Sequence, residues 1–277
     1  MRAPLFLISL LLSSAGCSDA KEYGQKAGVG PAVAAASASA GQAAPGKQAE
    51  AFAVKQEFRE SGGGSFDFAY EWPASVSAEP DLAAQLDAHR RMMFDETKAD
   101  WESSVMDCPE GAVSCRNYSY ANSYEVIADL PRFLSLSNSF HTYTGGAHGM
   151  YGRGSQVWDR EAGRLIDPKA MFVSQDALDR AVGRKACAAL DRVRRERRGE
   201  ALDGPAGEWP NNCPGLDEAT LFLGSSTGKA FDRLGLYYGP YVAGPYAEGE
   251  YEVTLPVDAA VIAAVRPEFA KVFSVKP

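Results

Sequence analysis

Two histidines, His141 just before the stretch Thr144-Gly145-Gly146-Ala147-His148-Gly149 and His148 within it, are the residues best suited by type to acid–base or metal chemistry. Catalytic zinc needs three protein ligands and an open position. No HExxH pair and no cysteines at zinc-ligand spacing supply the remainder, so neither a metal nor a cofactor is expected. Serine chemistry is no better supported. Gly152-Arg153-Gly154-Ser155 lacks the G-x-S-x-G spacing that lifts a nucleophile onto a strand-to-helix turn. Gly224-Ser225-Ser226-Thr227-Gly228-Lys229-Ala230 looks like a phosphate loop, but it has three residues between its glycines where the Walker pattern has four, and Ala230 where that pattern has Ser or Thr. It reads as a turn. Carboxylates are abundant enough to pair in space as glycosidases require, yet the sequence does not show such a pair. No catalytic residue is assigned. Glycines let backbone approach a ligand closely, so Tyr143, Thr144, Gly145, Gly146 and His148 are candidate binding residues. The plainer role for His148 is a hydrogen bond to backbone in a tight turn. His89 falls on or beside the apolar face of a helical pattern and is expected to be packed there.

The chain has 277 residues, 45% hydrophobic and 23% charged, the composition of an ordinary globular protein able to bury one large core or two modest ones. Its net charge of −8 argues against nucleic acid, which requires a basic face. The most basic run, Arg192-Val193-Arg194-Arg195-Glu196-Arg197-Arg198, ends a helical pattern, where it complements the helix dipole and is expected to be solvated.

The N-terminus carries an export signal. Met1-Arg2 is positive, and Ala3 to Leu12 is apolar but too short to span a bilayer. Ser14-Ala15-Gly16-Cys17 resembles a bacterial lipobox, which implies a signal peptide over 1–16 and lipidation of Cys17; Ser14 stands where leucine is usual. In a Gram-negative cell, Ser18 after that cysteine points to the periplasmic face of the outer membrane. The membrane partner would then be reached through the lipid anchor alone. Residues 17–50 are rich in Ala, Gly, Ser, Gln and Pro and cannot bury enough surface to offset ordering entropy. They read as a flexible tether with a reach of roughly 30 Å. Cys108, Cys115, Cys187 and Cys213 remain, an even number that suits two disulfides in an exported chain. Three pairings are open. Pairing of sequence neighbours is preferred, each bond contributing about 2–4 kcal/mol.

The elements that must position these residues follow from periodicity. Phe52, Val54 and Phe58, then Phe66, Phe68, Tyr70 and Trp72 after a Gly-rich turn, alternate as a hairpin ended by Pro73. Leu82, Leu86, His89, Met93 and Trp101 recur at helical spacing from Pro80 to about Val105. Strands follow over Tyr118 to Val126 and Phe133 to Thr144. In the second of these, Leu134, Leu136, Asn138 and Phe140 share one face, and Ser135, Ser137, Ser139, His141 and Tyr143 share the other, which is expected to be wet. A strand ending at Trp158, a helix starting at a Ser174 cap and running through Arg198, strands near residues 221–223, 234–238 and 251–255, and a last helix from Asp258 complete the chain. The order predicts an α+β fold, mainly antiparallel sheets packed with a few helices, in two related sub-domains: 51–140 and 141–277. Tyr237, Tyr238, Tyr241 and Tyr246 suit a core or an interface equally.

Tyr143-Thr144-Gly145-Gly146-Ala147-His148-Gly149, with the following hairpin into Leu165-Ile166-Asp167, is similar to a signature of the RsiV-like extracytoplasmic domain family. Gly239-Pro240-Tyr241-Val242-Ala243-Gly244-Pro245-Tyr246-Ala247-Glu248-Gly249, then Glu252 to Pro256, resembles its second signature. Residues 52–140 look like the module that precedes it, also found beside a peptidoglycan deacetylase. The family is known through an anti-sigma factor whose outer domain binds lysozyme, so the resemblance implies a binding role at the cell envelope and adds Tyr241 and Tyr246 to the candidate ligand-binding residues. The chain has no membrane-spanning or sigma-binding segment of that kind. The resulting expectation is a non-enzymatic envelope lipoprotein that binds a protein or cell-wall ligand, lysozyme-like or peptidoglycan. The alternative is a cell-wall glycan hydrolase or deacetylase using His148 and nearby carboxylates.

Overall fold

The structure, a computed structural model, describes residues 49–109, 111–199 and 207–276. The leader, Cys17 and the tether as far as residue 48 lie outside the described residues, as do residues 200–206 of the loop after the long basic helix.

Alternation of apolar side chains makes β1 (Phe52–Arg59) and β2 (Ser65–Trp72) an antiparallel hairpin. Pro73 ends it, a helical turn follows (Ala74–Ser77), and α1 (Pro80–Asp107) begins with proline in its first turn, where the missing N–H costs nothing. The long helix is a crossover. It returns the chain so that β3 (Asn117–Asp129) pairs parallel to β2, the one parallel joint in the six-stranded sheet. The sequence pattern alone gives no hint of this joint, because a parallel pairing depends on where the crossover lands. β4 (Phe133–Tyr143), β5 (Met150–Asp159) and β6 (Arg164–Ile166) complete the sheet as an antiparallel meander in the order β1-β2-β3-β4-β5-β6. A second sheet is formed by β7 (Thr220–Gly224), β8 (Arg233–Tyr238) and β9 (Tyr251–Pro256), all antiparallel. Between the sheets in sequence lies α2 (Gln175–Arg198), capped by the Ser174 hydroxyl accepting from Ala177 N–H. α3 (Ala259–Ala264) is capped by the Asp258 carboxylate in the same way. The architecture is α+β, as the order of patterns predicts.

Two cores use opposite faces of the large sheet. One packs Phe66, Phe68 and Tyr70 of β2 and Leu134 and Leu136 of β4 against Leu82, Leu86 and Trp101 of α1. The other takes Phe133 and Val157 from the reverse face, joins them to the three-stranded sheet, and closes with Leu178, Val182 and Leu190 of α2. β4 carries the large sheet straight through residues 140–141.

The reverse face of β4 is therefore not wet where it meets the second sheet. Ser135 and Ser137 are 0% and 1% exposed. Between the sheets, Arg153 of β5 donates to the Ser137 hydroxyl at 3.1 Å and to Glu252 of β9 at 2.6 Å. Its guanidinium lies 4.9 Å from the centre of the Phe222 ring. A polar pattern on a strand reads as solvated only if nothing covers it; here β7 to β9 do. Toward the hairpin end the pattern loses its cover on the other face, and Phe140, expected inside with Leu134 and Leu136, is 37% exposed.

At the β5–β6 turn, buried Asp159 accepts from Arg132 at 2.7 and 3.0 Å and from the backbone N–H of Glu161 and Ala162. The Arg132 hydrogen bond, partly opposed by desolvation, holds its carboxyl below the ordinary aspartate range. The group binds a proton less tightly folded than unfolded. It stabilises fully above the unfolded aspartate value of about 3.9 and loses that contribution as pH falls through the lower folded value. Asp159→Asn should be less stable at neutral pH by about 2 kcal/mol. Denaturant unfolding of both chains at pH about 7 and about 3 should show a smaller acid loss in the variant; equal losses would remove Asp159 from the acid sensitivity.

Candidate functional site

The candidate binding residues converge where the β4–β5 turn meets the Gly/Pro-rich loop between β8 and β9. In the turn, Gly145 and Gly146 have φ of +94° and +89°, a region that strains any residue with a Cβ. A Cβ on Gly145 would lie 3.0 Å from the Ser114 carbonyl oxygen, so the turn rests on the loop closed by Cys108 and Cys115. The Tyr143 hydroxyl donates to the Gly146 carbonyl at 2.9 Å, fixing the turn from the strand below it. Thr144 is exposed beside it.

His148 leaves this turn toward the other loop. Its ring stacks on Tyr246 with centres 4.0 Å apart and planes 24° apart. Nδ1 lies 2.9 Å from the Gly149 carbonyl, which can only accept, so the neutral ring carries its proton there. Nε2 is then the acceptor for the Tyr241 hydroxyl at 3.4 Å. Tyr246 donates to the same Gly149 carbonyl at 2.8 Å, and Tyr151 meets its ring edge-on at 6.0 Å. His141 does not join this group; it packs against Gly149, whose absent Cβ would sit 3.0 Å from the His141 Nε2. His89 is distant in function as well: its Nδ1 meets the Tyr70 hydroxyl at 2.9 Å, and burial lowers its pKa.

The four tyrosines divide. Tyr237 and Tyr238 are core, 3% and 0% exposed, whereas Tyr241 is 49% exposed. Tyr241 follows Pro240 in a turn closed by Val242 N–H to the Gly239 carbonyl at 3.1 Å. Its φ is +70°, the conformation a type II turn ordinarily gives to glycine at that position, and the only positive φ among described residues other than glycine. Such strain persists only where surrounding contacts over-determine it. One contact is Trp209, whose indole N–H approaches the Tyr241 carbonyl at 3.4 Å while the ring stays 57% exposed.

The basic run supplies the rest of the support, and its predicted solvation fails at the centre. Arg194 is 0% exposed. Its guanidinium donates to the Ala243 carbonyl at 2.8 and 3.0 Å, to the Asn212 carbonyl at 2.9 Å, and pairs with Asp191 at 3.2 Å. Arg198 bonds the Glu248 carboxylate at 2.6 and 2.9 Å and the Asn211 side chain at 2.8 Å. Arg197 donates to the carbonyls of Glu248 and Glu250 and lies over Tyr251 at 4.1 Å. The Cys187–Cys213 bond ties the same helix to the loop that carries Trp209. Sequence reasoning missed Trp209 and these arginines. The available signal was spacing: residues 194, 197 and 198 stand at i, i+3 and i+4, one helix face.

The polar partners of His148 are thus a carbonyl and a phenol, and among the described residues no three His, Cys, Asp or Glu side chains gather as a metal site would need. The arrangement can present a rigid, half-exposed aromatic surface.

Comparison with known proteins bears on the fold. Residues 61–151 match the family model described as Deacetylase PdaC, a stretch running from the β1–β2 turn through α1 into β5. A DUF3298 family protein of Pseudomonas aeruginosa PAO1 has a similar crystal structure, with a TM-score of 0.54 at 19% identity, covering 82% of this chain and 96% of that one. The chain has the DUF3298 fold. A second member, from Bacteroides fragilis NCTC 9343, is similar with a TM-score of 0.50 at 18% identity, covering 75% of this chain and 89% of that one. No curated protein sequence matches the chain. The DUF3298 likeness concerns architecture, while the arginine clamp and aromatic corner are properties of this sequence.

Removing the clamp should be costly. Arg194→Ala removes the donor of the partly buried Asn212 carbonyl and leaves the buried Ala243 carbonyl only Arg198 at 3.3 Å, and a loss of about 3 kcal/mol is expected in denaturant unfolding. Limited proteolysis of the variant should cut first within residues 207–215 or 239–249; cleavage elsewhere, with unchanged stability, would show that the clamp is dispensable.

Proposed function

We propose that this chain is an exported cell-envelope lipoprotein, acylated at Cys17, that binds a protein ligand of the lysozyme type through the corner formed by His148, Tyr241, Tyr246 and Trp209. The observation that carries the reading is Tyr241: an aromatic side chain held outward at φ +70° and 49% exposed. Strained backbone maintained at the surface marks a place where presentation of the side chain matters more than local stability. Tyrosine and tryptophan dominate the energetics of protein interfaces because each offers a large, stiff apolar area with a polar tip. Here both are pre-organised by the arginines of α2, which reduces the ordering cost of binding. The resemblance of both loops to the RsiV-like signatures supports a lysozyme-type ligand, and a net charge of −8 steers a basic protein toward the surface. The leader, the lipobox-like Ser14 to Cys17 and the description of the matched family support the envelope location. A carbonyl and a phenol around His148 favour binding over its use as an acid–base group.

The test is calorimetry of the full chain carrying Cys17→Ser against c-type lysozyme, at low and physiological salt. Binding is expected at both. Tyr241→Gly should relieve the backbone strain and raise stability by about 1 kcal/mol while weakening binding about tenfold or more. His148→Ala should weaken binding with little change in melting temperature. No heat with lysozyme or with peptidoglycan fragments would refute the binding role. Lysozyme binding that survives Tyr241→Gly would move the site elsewhere.

A further inference from the structure

β1 ends the six-stranded sheet; β2 pairs on one side of it, and among the described residues no strand pairs on the other. The ladder fixes which of its backbone groups are free. Glu60 N–H donates to the Gly64 carbonyl, the next rung beyond Arg59↔Ser65, so Glu60 faces β2 with its backbone groups. By the two-residue period, Phe58, Gln56 and Val54 do the same, and Ala53, Lys55, Glu57 and Arg59 turn N–H and C=O outward. Proteins usually blunt such an edge with charge. This edge carries charge of alternating sign, with Lys55, Glu57 and Arg59 all exposed.

We propose that this edge pairs with the same edge of a second copy, antiparallel about a two-fold axis through Gln56, joining two six-stranded sheets into one. Outward-facing residues must oppose outward-facing residues, which leaves three central registers. An axis through Lys55 sets Lys55 against itself. One through Glu57 sets Glu57 against itself and Lys55 against Arg59. Only the axis through Gln56 sets Lys55 against Glu57 of the second copy, and by symmetry does so twice. On the other face the same register brings Val54 against Phe58 twice, in the closer, non-hydrogen-bonded pairs, and Gln56 amide against amide. Phe58 already packs on Phe66 and Phe94 beneath α1, with ring centres 5.8 and 5.7 Å away, so the added contact would extend an existing apolar strip. Ala53 opposite Arg59 leaves the latter its bonds to Asp67 at 2.7 Å and to Glu57 at 3.1 Å, so Lys55 of the second copy would be a further partner for Glu57. The ladder leaves three central registers, charge selects one of them, and its occupant is a second copy of this chain. The aromatic corner is not used.

Sedimentation equilibrium of the full chain carrying Cys17→Ser tests the pairing. A concentration-dependent dimer is expected. Lys55→Glu and Glu57→Lys each convert two attractive pairs to two repulsive ones and should weaken the dimer about tenfold or more. The double exchange, Lys55→Glu with Glu57→Lys, restores the complement and should restore the dimer. Lys55→Pro removes an outward N–H without touching the β1–β2 ladder and should give a monomer with an unchanged unfolding midpoint. A chain monomeric at every concentration overturns the proposal. So does a dimer indifferent to Lys55→Pro, or a double exchange no better than either single change.

Discussion

A guanidinium with no access to water has to find acceptors for its donors inside the protein, or its burial would be prohibitively unfavourable. Arg194 finds them in the backbone of two loops that form no ladder of their own, at Ala243 and Asn212. The dependence runs both ways. Segments rich in glycine and proline leave carbonyls that regular structure would have paired, and the planar fork of arginine reaches two chains at once where lysine would offer a point charge. Arg198 and Arg197 extend the grip to Glu248 and the backbone around it. The last two turns of α2 thereby act as the frame for both irregular segments, and the conformation of the exposed aromatic corner follows from that frame.

The second constraint is the cover on both faces of the large sheet. α1 occupies one face and the three-stranded sheet the other, so β4 is buried continuously over Phe133 to Ser137 before it emerges toward the turn. Arg153 satisfies the buried Ser137 hydroxyl on that face and reaches Glu252 across the gap. The hairpin that carries His148 is therefore anchored at its base between two layers. At its tip the Cys108–Cys115 loop supports Gly145. A turn supported at both ends loses little freedom when something binds, which is the physical basis for reading this corner as a recognition surface.

Electrostatics divide along the same lines. Four arginines, Arg153, Arg194, Arg197 and Arg198, bond the second sheet or the loops beside it, while the chain as a whole carries −8. The outward field is acidic, and the corner exposed within it is aromatic. In the proposed function, that combination would attract a basic partner over distance and hold it by apolar contact at short range.

Periodicity alone determined the elements of this protein. The spacing of Phe66 to Trp72, of Leu82 to Trp101 and the cap at Ser174 place strands and helices where they are found, since each is decided by contacts within a few residues. The α+β class follows from their order. The glycine junction was legible too, because positive φ at Gly145 and Gly146 is a local demand. What the sequence could not decide is anything that depends on which distant surface arrives. The parallel joint of β2 with β3 is set by the crossover, the burial of Ser135 and Ser137 by the second sheet, and the burial of Arg194 by loops that fold back over α2. In each case the local pattern is the same whether the side chain meets water or protein, and only the assembled tertiary structure determines which it meets.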